Sequence, residues 1–416
     1  MSGEIDSPGA AGALFWAKAG VDDGTMNRSK RADRLTNEAR RRPLRRFAPA
    51  RALASVEGMV DMTDGKPARS SIDPVSSDFA SSTLARRHDM IRKMEEIGAI
   101  LRLSRIQTAP LTGLAPVMGA SLSGGFSPTR DLLLFCAGIC CHIFGFVHNE
   151  LRDRHVDRLA SDLAGKPLVE GSVSPRAAAI VAIGALVVGF VLMATVSGKA
   201  SLIVAGAVTA AYLYNRTSKS VPFADWAVAL TMGLLVWAGG AAAGGANRMA
   251  WIVGGLLTLQ LVVQNTLAHL KDLEQDQAAG GSNAALWLGV CRHGACILIP
   301  SPFQTYVTVL RFLHLGLAIW GVGMLPQGIR VPAALALVIT QGGAIRSFRR
   351  LLSTPPASRS EFLEAFSRHE LPTLFAVTIL LIGALGWWAL LPYVVLPLGW
   401  AWISLRLLHR GEMPAL

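Results

Sequence analysis

Residues Asn149 to Ser174 read NELRDRHVDRLASDLAGKPLVEGSVS, directly after an apolar run from Leu132 to Val147. A membrane helix that ends in a block of mixed charge sets how the remaining chain is divided. Asn149, Asp153 and Asp157 recur at every fourth position, so on a helix their side chains share one face. Three oxygen-bearing side chains stacked at the end of a membrane helix suit a hard divalent cation such as Mg2+, which takes oxygen ligands and keeps waters for a phosphate. Arg152, Arg154, Arg158 and Lys166 surround them. Clustered acids beside clustered bases read as metal plus polyanion: the acids hold the cation and the bases hold the phosphate. A solvated loop would have the same composition, but ionisable groups near membrane depth are costly and usually have a task.

Composition agrees with a membrane setting. Of 416 residues, 51% are hydrophobic and 16% charged, with a mean hydropathy of +0.41. That is too apolar for an ordinary soluble chain of this length, and the repeated apolar runs are long enough to cross a bilayer core of about 30 Å. The net charge of +12 belongs on cytoplasmic loops in such a protein and does not require nucleic acid. The five cysteines form no disulfide framework. Cys136, Cys140 and Cys141 lie inside an apolar run, and Cys291 and Cys296 flank Arg292 and His293 without a second pair to complete a zinc pattern.

Residues 1–87 form a separate, basic arm rich in Ser, Ala, Arg, Pro and Gly, with no run long enough to span. This composition reads as disordered, or as the product of a start codon placed too early, with Met26, Met59, Met62 and Met90 as later candidates. The membrane domain is expected over 88–416. His88 to Leu103 has helical periodicity and is placed in the interface. Spans are then predicted at Thr108–Gly124, Leu132–Val147, Ala177–Val196, Ser201–Tyr214, Phe223–Gly244, Ala250–Leu270, Cys296–Met324, Val331–Ile345 and Leu371–Leu391. Val394–Leu408 is a short tenth span or a bent continuation, because Pro392 and Pro397 break it. The fold class is therefore an all-α polytopic bundle of nine or ten transmembrane helices. With the N-terminus inside, alternate loops carry most Lys and Arg, while Arg130, Lys199, Arg248 and Arg330 stand one to each outside loop. That asymmetry sets the orientation and puts the first acidic cluster on the cytoplasmic side.

The sixth span ends in QNTLAHLKDLEQD, Gln264 to Asp276. On a continued helix Asn265, His269, Asp272 and Asp276 share a face. By span parity this cluster lies on the same side as the first, four spans later. That is the signature of two pseudo-repeated, parallel four-helix units.

These residues resemble the UbiA superfamily of intramembrane prenyltransferases. Its pattern is N-D-x-x-D-x-x-x-D after span two and D-x-x-x-D after span six. Asn149 to Asp157 fits the first with Glu150 in place of the usual Asp, and Asp272 to Asp276 fits the second. Lys166-Pro167-Leu168 is similar to the family's Arg-Pro-Leu; Tyr212, Tyr214 and Lys219 are similar to its Tyr/Lys stretch. Ala278-Ala279-Gly280 and Leu286-Trp287-Leu288-Gly289 resemble its approach to span seven. The Gly-Asp that often closes the second motif is absent, and Lys166 keeps the charge but not the bidentate fork.

The resemblance implies a Mg2+-dependent transferase moving a prenyl group from a prenyl diphosphate to an aromatic, quinone-precursor or other lipid-soluble acceptor. It implies two Mg2+ ions, one on Asn149 and Asp153 with Asp157 close by, the other on Asp272 and Asp276. Arg154, Arg158, Lys166, Lys219 and Lys271 would serve the diphosphate. Tyr212 and Tyr214, with Phe144, Phe146 and His148, are candidates for the cation pocket by position, though each is more readily read as packing. His148 and His269 stand beside the motifs as candidate bases or as helix-end hydrogen-bonding residues. The expected setting is a multi-pass protein of the bacterial plasma membrane, with lipids and the two substrates as partners and no nucleic acid. A membrane terpene cyclase would use the same two motifs. A cation-coupled transporter would place its acids nearer the midplane.

Overall fold

The computed structural model describes residues 87, 89–90, 93–158, 163–278, 280–294, 296–355 and 359–408. The chain divides into two units, Met1–Ile72 and Asp73–Leu416. The first falls outside the described residues, and with it most of the arm expected over 1–87. The second unit holds every helix and strand named below.

Among the described residues ten membrane helices follow one another: α1 (Ala109–Gly124), α2 (Pro128–Asp157), α3 (Pro175–Val196), α4 (Gly198–Thr217), α5 (Asp225–Ala242), α6 (Arg248–Ala268), α7 (Ser301–Met324), α8 (Gln327–Ser353), α9 (Arg359–Leu385) and α10 (Leu396–Leu408). Among the described residues eight stretches are long and apolar enough to cross a membrane: α2, α3 and α5 to α9, and Trp387–Leu408, which ends in α10; the chain is an integral, multi-pass membrane protein. Their starts follow capping chemistry. Ser174, Ser197 and Asn247 accept the backbone N–H of Ala177, Ala200 and Ala250 at 3.1, 3.3 and 2.8 Å. Pro128, Pro175 and Pro302 stand in first turns, where no N–H is required. The outward faces are apolar: Ile180, Ile183, Val187 and Val191 of α3 are all more than half exposed, as lipid requires.

Each helix of the first four packs on its neighbour in sequence, and α5 to α8 repeat that pattern. The repeats meet where α1 crosses α5. A Cβ on Gly119 would sit 1.7 Å from the carbonyl oxygen of Val236, and one on Gly239 would sit 1.7 Å from that of Pro116. Only glycine permits this approach of two backbones. Around the crossing lies the main core, including Leu114, Val117, Met118, Leu235, Val236 and Leu256.

A buried polar network joins α6, α7 and α9. Arg311 donates to Glu370 Oε1 at 2.9 Å, to Gln260 Oε1 at 2.8 Å and to His369 Nε2 at 3.1 Å. Gln260 in turn donates to Glu370 and to the hydroxyl of Thr373. His369 Nδ1 donates to the carbonyl of Ala344 in α8. Every strong donor and acceptor in this pair is answered, which is the condition for an ion pair to survive in an apolar bundle.

Several boundaries differ from the sequence reading. The second span does not stop at Val147; α2 runs on to Asp157 and carries the first acidic cluster on its own last turns. The seventh span begins at Ser301, because residues from Cys296 turn back into a hairpin. Its strands are β1 (Cys291–His293) and β2 (Cys296–Leu298), with His293 opposite Cys296. The eighth and ninth helices extend toward each other well beyond their apolar runs, and α9 carries Pro372 internally. The cluster after span six does not lie on one continuous helix. α6 ends at Ala268, His269–Lys271 form a 3-10 turn, and Leu273–Ala278 form a separate short helix.

Candidate active site

Asn149, Asp153 and Asp157 do lie along one face of α2. Asn149 Nδ2 donates to Asp153 Oδ2 at 3.0 Å. Glu150, two turns before Asp157, is 5% exposed. It accepts Arg105 at 3.1 Å and Lys166 at 3.0 Å, and Lys166 also reaches Asp157 at 2.8 Å. Lys166 is therefore clamped between two carboxylates of one helix. Arg105 is held as firmly. It is the one non-glycine residue with positive φ among the described residues, at 48°, and its guanidinium lies 5.0 Å over the Phe146 ring. Its carbonyl accepts His142 Nε2 at 3.2 Å, while His142 Nδ1 accepts the Thr112 hydroxyl at 2.9 Å.

The second cluster hangs from the broken end of α6. Asp272 N–H bonds to the His269 carbonyl at 3.2 Å, and Asp276 N–H to the Asp272 carbonyl at 2.9 Å. Lys271 Nζ lies 2.6 Å from Asp272 Oδ2. Asp276 is 3% exposed; its two oxygens accept Lys219 Nζ and Asn283 Nδ2, each at 2.8 Å. The loop that carries Lys219 is tied to the same place by its backbone, with Ser282 N–H donated to the Lys219 carbonyl at 2.8 Å.

Lys219 connects the clusters. Besides Asp276, it lies within electrostatic reach of Asp153 and Asp272. Burial alone would lower its ammonium, but Asp276, Asp153 and Asp272 outweigh that and hold it above the ordinary lysine range. Tyr214 lies near enough to Asp225, Asp153 and Asp276 to feel all three. Tyr212 stacks on His148 at 5.3 Å, and His148 on Phe144 at 5.6 Å. Asn215 steadies this stack by donating to the Gly145 carbonyl and meeting His148 Nδ1, both at 3.0 Å.

This donor set fits a hard divalent cation. Asn149, Asp153, Asp157, Asp272 and Asp276 offer only oxygen ligands, and compact ammonium groups already stand against Asp157 and Asp276. Among the described residues no three His, Cys, Asp or Glu side chains converge tightly enough to cage an ion alone. A cation held here keeps waters or takes phosphate oxygens, as Mg2+ does.

With two acidic clusters facing one lysine at the ends of α2 and α6, the comparison with known proteins is decisive. The profile of the UbiA prenyltransferase family matches residues 110–371. The chain belongs to this family. It is a prenyltransferase, and the resemblance carried by the two motifs is borne out. A 4-hydroxybenzoate octaprenyltransferase of Paracidovorax citrulli is 32% identical over 226 residues, 53% of this chain and 71% of that protein. A digeranylgeranylglyceryl phosphate synthase of Natronomonas pharaonis is 26% identical over 189 residues, 45% and 68% of the two chains. A solved UbiA homologue from Archaeoglobus fulgidus, bound to GPP and Mg2+, aligns with a TM-score of 0.51 at 21% identity. It covers 67% of this chain and 99% of that one. At that identity the likeness is one of fold.

Within the UbiA-family chain, the expected residues are not equally close to the centre. Lys166, Lys219 and Lys271 each touch a motif carboxylate. Arg154 instead bonds to His155 at 3.1 Å, and Arg158 is exposed at the helix end. Phe146 lies under Arg105 rather than with the Tyr212 stack. Sequence reasoning misses Arg105, Asp225 and Asn283. Arg105 and Glu150 are 45 residues apart, and a lone Asp at a helix start or Asn in a loop reads as a cap.

Proposed function

We propose that the chain moves the prenyl group of an allylic prenyl diphosphate onto a lipid-soluble aromatic or quinone-precursor acceptor, with Mg2+ as the metal. The observation that carries this reading is Lys219, a cation set between two aspartate motifs. Asn149 and Asp153, with Asp157 beside them, would hold one ion, and Asp272 and Asp276 a second. When bound, the metal supplies charge stabilisation for the departing diphosphate.

The chain's own residues do the rest. Lys219, Lys166 and Lys271 stand where negative charge develops as the C–O bond breaks and diphosphate takes the electron pair. Tyr214, half-buried between the clusters, lines the space for the allylic cation and keeps water from it. The acceptor supplies the electrons of the new bond and loses a proton. Donor and acceptor classes follow what the relatives' names record: 4-hydroxybenzoate in one case, GPP in another. Loop charge asymmetry supports both motifs facing the cytoplasm of a bacterial plasma membrane.

The test is diphosphate release by the detergent-purified protein, supplied with geranyl, farnesyl or geranylgeranyl diphosphate and Mg2+, with and without 4-hydroxybenzoate and related phenols. Release that needs metal, and a product whose mass is that of the phenol plus the prenyl group less one hydrogen, supports the proposal. A prenyl-only cyclic product would make the chain a cyclase instead. Release unchanged in Asp153→Ala and Asp272→Ala would sink the mechanism.

A further inference from the structure

α6 breaks at His269, yet the sequence from Asn265 to Asp276 contains neither proline nor glycine. From His269 the helix tightens into a 3-10 turn and leaves helical geometry at Asp272, an ending that the local sequence does not supply. The tertiary structure does. Asp225, the first residue of α5, is 2% exposed. A carboxylate removed from water is costly unless it is paired. His269 is the pair: its Nε2 lies 2.9 Å from Asp225 Oδ2 and 3.2 Å from Oδ1, and the buried Thr266 hydroxyl approaches Oδ2 at 3.5 Å.

A carboxylate only accepts, so Nε2 carries the donated proton, and His269 turns its Nδ1 edge to Asp276, 4.0 Å from Oδ2. The backbone continues the connection. The His269 carbonyl holds Asp272 N–H, and the Asp272 carbonyl holds Asp276 N–H. One buried side chain on α5 thus fixes the residue at which α6 ends, and two successive hydrogen bonds carry that fixed point to both carboxylates of the second motif.

We infer that Asp225 is a positioning residue: through His269 it sets where Asp272 and Asp276 present their oxygens to the bound ion. The inference rests on the proposal that those two aspartates hold a divalent cation. Partners that orient metal ligands without touching the metal typically change metal affinity by about ten- to a hundred-fold when removed.

Mn2+ binding to the full-length protein in detergent, read from the loss of the free-ion electron paramagnetic resonance signal, tests this without relying on turnover. Wild type is compared with Asp272→Ala, Asp225→Asn and His269→Gln, each checked for a monodisperse elution profile and an unchanged melting temperature. The expected result is loss of one of the two Mn2+ ions in Asp272→Ala and about ten-fold or greater weakening of that same ion in Asp225→Asn. In turnover, Asp225→Asn should raise the Mg2+ concentration for half-maximal rate while recovering most of kcat at saturating Mg2+, a split that loose packing alone would not give. His269→Gln, which removes the ring but keeps an amide donor, stands in if Asp225→Asn does not fold. If Asp272→Ala loses that one Mn2+ and the folded Asp225→Asn or His269→Gln protein keeps wild-type affinity for it, the positioning role is overturned and the metal site stands. If wild type binds no Mn2+, or Asp272→Ala binds it unchanged, the metal reading falls and the positioning role falls with it.

Discussion

Lys219 Nζ sits 2.8 Å from Asp276 Oδ1 and remains within electrostatic reach of Asp153 on the opposite cluster. The residue between α4 and α5 is thus the point at which the two halves of the site meet. Replacing it with alanine should lower the rate of diphosphate release by about a hundred-fold, the effect of deleting one preorganised donor to a developing anion. Lys219→Arg should recover part of that loss. A release assay at saturating prenyl diphosphate and Mg2+ decides it; equal rates for wild type and Lys219→Ala would remove Lys219 from the chemistry.

Asp153→Ala and Asp272→Ala should each abolish metal-dependent release, and the double variant should be little worse than either alone. Groups that act as one unit lose their joint effect with the first deletion. Rates for the two single variants and the pair, measured together, distinguish one shared site from two independent ones, for which the losses would multiply.

Glu150 holds two cations, Arg105 and Lys166, from a position that is nearly closed to water. Glu150→Gln leaves Arg105 without its counter-charge and Lys166 with Asp157 alone, and should destabilise the protein by about 3 kcal/mol, the range for breaking one side of a buried pair. Glu150→Asp, one methylene shorter, should fall between. Melting curves in detergent give the order; a Glu150→Gln protein as stable as wild type would contradict it.

Gly119→Ala and Gly239→Ala each push a methyl group into a carbonyl oxygen of the opposite repeat. Overpacking usually costs about 1–3 kcal/mol, and backbone leaves no soft neighbour to yield. Both variants should shift to the void volume on size-exclusion chromatography, whereas Gly145→Ala, with nothing within 4 Å of its Cβ, should behave as wild type.

Arg311 and Glu370 offer a contrast with the site. Arg311→Met should be strongly destabilising because it strands Glu370 in the bundle. Arg311→Met with Glu370→Leu should recover most of the loss. The double variant should retain prenyl transfer, since the network lies outside the two motifs. A double-mutant cycle on melting temperature checks the first point and the release assay the second.

The carboxylates of both motifs are legible in the sequence because fourfold spacing survives in any helix, and the apolar runs between them mark the spans. What stays hidden depends on contacts between distant residues. Glu150 stands in a motif position, yet its partners come from the segment before α1 and the loop after α2. Asp225 looks like any acid at a helix start. Arg311 disappears into a run whose average is apolar, and Glu370, beside Arg368 and His369 just ahead of the expected ninth span, reads as a loop charge. The hairpin at Cys291–Leu298 passes for the start of a span because its second strand, Cys296-Ile297-Leu298, is as apolar as the helix it precedes.

The pairing of Arg311 with Glu370 also bears on how the protein is made. Fifty-nine residues separate them, so during synthesis α7 reaches the membrane while α9 is still in the ribosome. An arginine near the middle of an inserting helix costs about 2.5–3.5 kcal/mol on insertion scales. Of Gln260, His369 and Glu370, only Gln260 of α6 is already made before α9 emerges, and the arginine has no counter-charge from Glu370. The charge balance of α7, inside the second repeat, thus depends on a helix that lies outside that repeat and is made later.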